Sequence, residues 1–364
     1  MKIFLSTLMI VLCGLPLHAQ RIKKPRVPKV PSKAISLQRG LQNKIRLPVK
    51  PAVQATRFVP LKPAEIFDLS RPAAFRAPTP ANNSFSGTIF KVQRNGKTEI
   101  FGAVAVHALL DEYLTPGSLG KNFQALVQMD EKITALPVEV VQLSSAKALD
   151  IALIKFRPQD EPLLRPLSLE SASPSPGNFL YAQGFARNEL LQEEIMLRPR
   201  TSSLGMRQAS LSFSNMQARL GFCGSPVVND KAELSGVFVG VGREPYIGFM
   251  ASATHLDKLV QAYHNPGKAL VEIKLQGKEL LRLPVDEYVS QFELLDENQH
   301  LLWIGNTSQK MTTTPVEQAL WKNPRTRYVR FTIGKTTWKE INGTWVVSTD
   351  PNFRYETVPF SPAN

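Results

Sequence analysis

Downstream of an apolar N-terminal run the chain has one cysteine, Cys223, within Leu220-Gly221-Phe222-Cys223-Gly224-Ser225-Pro226-Val227-Val228. Cysteine is the side chain best suited to attack a carbonyl carbon near neutral pH. Glycines on either side let the backbone turn sharply and aim its N–H groups at the oxyanion that such an attack creates. The chemistry also needs a base for the thiol proton and a carboxylate to orient that base. Both are present ahead of the cysteine. His107 closes the small and β-branched run Ile100-Phe101-Gly102-Ala103-Val104-Ala105-Val106, and Asp150 opens Asp150-Ile151-Ala152-Leu153-Ile154, so the order is His107, Asp150, Cys223 with separations of 43 and 73 residues. Each has a plain structural use when taken alone: a packed histidine, a strand-capping aspartate, a buried thiol acting as a small hydrophobe. The ordered conjunction points to acyl transfer. The other histidines beyond residue 19, His255, His264 and His300, do not follow a strand of this kind.

The segment around Cys223 resembles the nucleophile motif Gly-Xaa-Ser-Gly-Gly-Pro of trypsin and chymotrypsin-like peptidases. Cysteine stands where serine usually stands, as in the picornavirus-type cysteine proteases of the same fold. Ala105-Val106-His107 is similar to that family's Thr-Ala-Ala-His segment, and Asp150-Ile151-Ala152-Leu153 matches its Asp-Ile-Ala-Leu motif. Over residues 84–265, the resemblance implies a mainly β, chymotrypsin-like double β-barrel that hydrolyses peptide bonds through a Cys223-His107-Asp150 triad. It implies an oxyanion hole made by the amides of Gly221 and Cys223. It also implies a specificity pocket with Gln217 at its base and Val239, Gly240 and Val241 along its wall; a neutral base argues against a preference for basic side chains. Two departures stand out. Phe222 replaces the aspartate with which trypsin-like zymogens anchor a newly cut N-terminus, and Ser225 replaces a glycine. Ser225 is itself a hydroxyl nucleophile in type, but Pro226 follows it where a nucleophile should be followed by glycine. The alternative reading is a catalytically inactive relative serving as a binding module in the cell envelope, favoured by Phe222 and Ser225 and disfavoured by the intact His107 and Asp150.

A site of this kind must be held by many short strands. Gly87–Val92 and Glu99–Val106, joined by a turn at Arg94-Asn95-Gly96-Lys97, read as a hairpin. Further strands are expected at Phe123–Val127, Leu136–Val141, Ile151–Phe156 and Phe179–Ala182, separated by Pro, Gly and Ser clusters. From Thr254, an amphipathic helix places Leu256, Leu259, Val260 and Tyr263 on one face and stops at Asn265-Pro266-Gly267. Residues 266–364 read as a separate β-rich accessory domain with strands at Val271–Leu275, Leu280–Leu283, Phe292–Leu295, Leu301–Ile304, Tyr328–Ile333, Trp338–Ile341 and Trp345–Val347. One helix is expected there, at Pro315–Trp321.

With 364 residues and a formal charge of +14, the chain looks basic throughout. It is not. Residues 20–64 carry twelve Lys and Arg and no acidic residue, whereas 84–364 sum to +1. Ten prolines lie between 20 and 83, so this stretch is expected to be a disordered arm. Lys2 and the apolar run Ile3–Leu17, ending in Leu17-His18-Ala19, read as a signal peptide over 1–19, which places the protein in the periplasm or outside the cell. An exported chain makes nucleic acid an improbable partner. Peptides or proteins are the expected substrates, and an anionic envelope polymer or lipid could engage residues 20–64. No metal-ligand spacing, phosphate loop or dinucleotide fingerprint implies a cofactor.

Overall fold

Runs of β-branched and aromatic residues, broken by Pro, Gly and Asn turns, make the chain mostly strand, and twice a sheet closes on itself. The computed structural model describes residues 60–79, 84–110, 118–129, 132–186, 189–198, 211–214, 221–241, 247–266, 270–307, 313–349 and 353–362. The expected signal peptide, the arm as far as residue 59, and Gln217 lie outside them.

Helix α1 (Pro63–Ser70) leads into strand β1 (Ala74–Pro78). Strands β2 (Ser84–Arg94) and β3 (Lys97–Ala105) form the expected hairpin. It turns at Asn95 and Gly96, whose φ values of 49° and 75° are those a two-residue type I′ turn requires. A one-turn helix α2 (Val106–Leu109) follows, then β4 (Ser118–Gly120), β5 (Asn122–Met129), β6 (Lys132–Leu143), β7 (Ile151–Phe156) and the short β8 (Leu167–Ser168). Six of these strands close the first barrel in the order β1-β5-β6-β7-β3-β2, with β2 returning to β1. Phe75, Phe101, Val104, Val127, Val140 and Ile154 fill its core.

Closure of this barrel corrects one expectation. The arm was to run to residue 83, but β1 pairs with both β2 and β5, so residues 63–78 belong to the folded body. Among the prolines and charges, Ile66, Phe67 and Phe75 supply apolar surface that is almost wholly buried. Burying a side chain such as Phe75 stabilises by about 1.5–3 kcal/mol. Pro63 sits in the first turn of α1, where a missing N–H costs nothing.

Strands β9 (Phe179–Ala186), β10 (Glu189–Arg198), β11 (Leu211–Ser214), β12 (Pro226–Val228), β13 (Leu234–Val241) and β14 (Gly248–Ser252) close the second barrel in the order β10-β11-β14-β13-β12-β9. Leu180, Ile195, Leu197, Phe222, Val227, Phe238 and Met250 form its core. Helix α3 (Ala253–His264), capped by Ser252, packs Leu256, Leu259 and Val260 back onto the first barrel. The architecture is thus the chymotrypsin-like double β-barrel followed by further β-structure.

That further structure comprises β15 (Leu270–Leu275), β16 (Lys278–Pro284), β17 (Glu287–Leu295), β18 (Leu301–Asn306), helix α4 (Thr313–Lys322), β19 (Tyr328–Ile341), β20 (Thr344–Thr349) and β21 (Arg354–Pro359). Two strands expected at 328–333 and 338–341 are one long strand, β19, that pairs β17 and β21 along its first part and β20 along its second. Ile273, Leu283, Phe292, Leu294, Val316, Leu320 and Phe331 form a core of its own. The sheet order, however, is β18-β17-β19-β20-β4, so its last strand comes from the segment between α2 and β5, inside the part of the chain that builds the first barrel. Residues 58–364 form one compact unit.

Candidate active site

His107 does not end the strand, as the sequence suggested, but sits one residue into α2, immediately after β3 stops at Ala105. Asp150 is the residue just before β7, which pairs β3 in antiparallel register from Ala105↔Ile151 onward. This pairing sets the two side by side. Val106 N–H donates to the Asp150 carbonyl (2.9 Å), and the Asp150 carboxylate then accepts twice from the next residue. Oδ1 takes the His107 backbone N–H at 3.0 Å and Oδ2 meets His107 Nδ1 at 2.6 Å. Asp150 has φ 60°, a left-handed conformation that costs most residues energy and that Asp tolerates better than most. It is fully buried, whereas the His107 side chain is about a third exposed.

With Nδ1 committed to Asp150, the other ring nitrogen of His107 is left for Cys223, which is near enough to favour the charged imidazole. Burial pushes the imidazolium down. The charge of Asp150 and its hydrogen bond, together with the hydrogen bond and charge of Cys223, outweigh that and raise the His107 pKa from its usual 6.5 to about 10. The sign of the pH dependence follows. A group whose pKa is higher folded than unfolded stabilises fully below the unfolded value of ~6.5, and the contribution fades as pH climbs through about 10. Urea unfolding should therefore show the wild type ahead of Asp150→Asn by a margin that narrows from neutral to alkaline pH. A margin that stays flat over this range would mean the folded imidazole is neutral.

Cys223 lies between β11 and β12, in a turn that the two barrels share. Gly221 and Gly224 have φ values of 97° and 100° and bend the chain on both sides of Phe222-Cys223. Ser86, near the start of β2, holds the turn from the first barrel. Its backbone N–H donates to Gly221 O (2.8 Å), and its hydroxyl lies 3.0 Å from the same oxygen while accepting the Phe185 N–H at 2.7 Å. Thr88 Oγ1 donates to Gly224 O at 2.7 Å. Among the described residues, the amides of Gly221 and Cys223, the two expected oxyanion donors, donate to no carbonyl.

Phe222 explains how the loop is anchored without an aspartate. It is fully buried in the second barrel, with its ring 5.4 Å from that of Phe238. Packing thus does here what an ion pair does in the trypsin-like pattern. Ser225 is also fully buried and donates to Phe222 O at 2.5 Å, so its hydroxyl braces the turn and is closed to substrate.

The pocket-wall residues divide. Val239 is completely buried in the core around the first barrel, so its side chain offers nothing to a substrate. Gly240 lies at an irregularity in the β13–β14 pairing, and Val241 next to it is about half exposed. Sequence reasoning missed Ser86, Thr88 and Ser145, which hold the site through bonds between segments distant in sequence. Ser86 and Thr88 carried no local signal, since β2 mixes Ser, Gly, Lys and Gln with its apolar residues. Ser145 accepts the Asp150 N–H on its carbonyl at 3.0 Å.

No protein-family model matches the chain, and no curated protein matches it. Among solved structures, the chain is similar to the active form of the Rv3671c protease of M. tuberculosis, with 16% identity over 61% of this chain and 92% of that one, at a TM-score of 0.41. It is also similar to a serine endoprotease from Yersinia pestis, with 13% identity over 84% of this chain and 98% of that one, at a TM-score of 0.44.

Proposed function

We propose that this chain is an endopeptidase that cleaves peptide bonds by covalent catalysis at Cys223. The observation that carries the reading is an imidazole bonded to a buried carboxylate at 2.6 Å, with Cys223, the sole thiol of the described residues, near enough to favour its charged form. In the first half-reaction Cys223 and His107 act as a thiolate–imidazolium pair, the thiol proton already residing on the imidazole that Asp150 keeps charged, and the sulfur attacks the substrate carbonyl carbon. The resulting oxyanion is received by the amides of Gly221 and Cys223, a contribution of roughly 3–4 kcal/mol per donor in comparable sites. As the tetrahedral intermediate collapses, the C–N bond breaks and His107 passes its proton to the departing amine, leaving a thioester on Cys223. Water, deprotonated by the same imidazole, then attacks the thioester, releases the acid and restores the thiol. Asp150 keeps the ring oriented and stabilises its protonated form throughout.

The test is to expose the protein to a peptidyl trap that alkylates active-site thiols, with His107→Ala and Cys223→Ala as companions. Wild type should be labelled at Cys223 stoichiometrically and His107→Ala at a rate lower by about two orders of magnitude or more. Equal labelling of the two would sink the thiol–imidazole mechanism and leave the double barrel as a binding scaffold.

A further inference from the structure

Ser145 lies between the C-terminal sheet and the acid of the site. It belongs to the loop Ser144–Asp150 that joins β6 to β7, and it is fully buried. On one side it serves the loop. Its carbonyl accepts the N–H groups of Ala148 and Asp150, both at 3.0 Å, and its hydroxyl accepts the Lys147 N–H at 3.3 Å. On the other side it is held from outside the barrels. Its own N–H donates to Val285 O at 2.8 Å, and its hydroxyl lies 3.3 Å from Thr336 Oγ1 on β19. Thr336 is in turn fixed by its N–H bond to Asp286 O at 2.8 Å, and Lys147 lies over the ring of Tyr288, 4.3 Å from its centre. Every outside partner of this loop in that set comes from residues 285–336.

These bonds, with those to Val106 and His107, hold Asp150 in its left-handed conformation. Ser144 closes the loop below it, bonding Ile151 in both directions at 2.9 Å, but does not reach Asp150 itself. The histidine side is tied to the same sheet, since β4, which follows the His107 helix in the chain, pairs with β20, and Lys121 bridges Glu139 and Glu340 at 3.0 and 2.9 Å.

We propose that Ser145 is a positioning residue for Asp150, and that the C-terminal sheet, through Val285 and Thr336, is thereby a working part of the catalytic unit. The inference rests on the Cys223-His107-Asp150 reading above. It assigns residues 270–362 a role in the chemistry that their sequence did not suggest. Loss of the Ser145–Thr336 contact frees the loop, lets the carboxylate drift from the imidazole and weakens the proton transfer from Cys223, while the barrels stay folded.

The experiment measures the rate of Cys223 alkylation by iodoacetamide in the full chain from about pH 5 to pH 10, where thiolate reactivity separates from thiol reactivity. Five proteins are compared: wild type, His107→Ala, Ser145→Ala, Thr336→Val, which keeps shape and drops the hydroxyl, and Thr336→Ser, which keeps the hydroxyl. Ser145→Ala and Thr336→Val should each lose about threefold to tenfold at the acid end, as coupled neighbours do, and match wild type at the alkaline end. Thr336→Ser should follow wild type. Should Ser145→Ala fail to fold, the two Thr336 variants decide the matter. Thermal unfolding runs alongside: a lowered Tm with an unchanged profile in Ser145→Ala and Thr336→Val, while His107→Ala loses its acid-end reactivity, overturns the positioning role alone. Identical profiles for wild type and His107→Ala overturn the triad reading and this inference with it.

Discussion

Peptide cleavage by Asp150→Asn should fall by about four orders of magnitude in kcat while the fold is kept, the size of loss expected when a triad carboxylate becomes an amide. The reason lies in how the carboxylate is spent. Oδ1 accepts the His107 backbone N–H and Oδ2 accepts the ring Nδ1–H. Asparagine has one acceptor and one donor in those two places. If its oxygen keeps the backbone N–H, its amide nitrogen faces Nδ1 and favours the tautomer with the proton on the far nitrogen. That nitrogen can then no longer take the proton of Cys223. If the amide turns the other way, two donors confront each other at the backbone of His107, inside a fully buried site where an unpaired donor costs about 1–3 kcal/mol. Steady-state cleavage of a fluorogenic peptide and single-turnover acylation would both read the loss, with circular dichroism as the check on folding. A fall of less than tenfold would mean that Asp150 is a strand-capping residue and not a member of the triad.

The placement of the three candidate residues at element ends and in a glycine-flanked turn was legible because each is positioned by backbone close to it in sequence. His107 and Asp150 flank the ends of adjacent strands, β3 and β7, and the glycines around Cys223 supply its turn. The hairpin at Asn95-Gly96 and the amphipathic helix after Ser252 were legible for the same reason. Elements whose local composition argues against their fate were not. Residues 63–78 sit among prolines and cations, and only three of their large apolar side chains, Ile66, Phe67 and Phe75, are buried and tie them to the fold. Strand β10, Glu-Leu-Leu-Gln-Glu-Glu-Ile-Met-Leu-Arg, is built from good helix formers. It is a strand because it pairs with β9 along eight residues and turns Ile195 and Leu197 into the second barrel, a tertiary gain that outweighs propensity.

What holds the site was the least legible part. Ser86 reaches Gly221 across 135 residues, Thr88 reaches Gly224 across 136, and Ser145 reaches Thr336 across 191. A serine that links two barrels has no local signature, because its partners are carbonyls and hydroxyls that any sequence could supply. The separation of 266–364 as an accessory domain failed to foresee β4 for the same reason: a three-residue strand carries no periodicity, and only the facing edge of β20 makes it one.

Gly224→Ala should be the most damaging single methyl that can be added near the site. The new Cβ would lie 1.9 Å from the Ser86 carbonyl oxygen, 2.7 Å from its carbon and 3.4 Å from Gly87 Cα. All three are backbone atoms of β2, so no side-chain rotation relieves the clash. The φ of 100° adds strain for any residue with a Cβ. Overpacking and the left-handed backbone together should cost roughly 2–5 kcal/mol. The same β2 segment carries Ser86, whose N–H and hydroxyl hold Gly221 O. Pushing it away opens the seam between the barrels and separates Cys223 from His107. Thiol labelling should therefore fall further than lost stability alone explains. Gly96→Ala is the comparison: it has φ 75°, but nothing lies within 4 Å of its added Cβ, so it bears the backbone strain without the clash. Urea unfolding should rank Gly224→Ala well below Gly96→Ala, and only the former should slow labelling of Cys223 under conditions where both are folded. If the two variants unfold together and label alike, the close approach of β2 to the Cys223 turn is not what holds the barrels in working register.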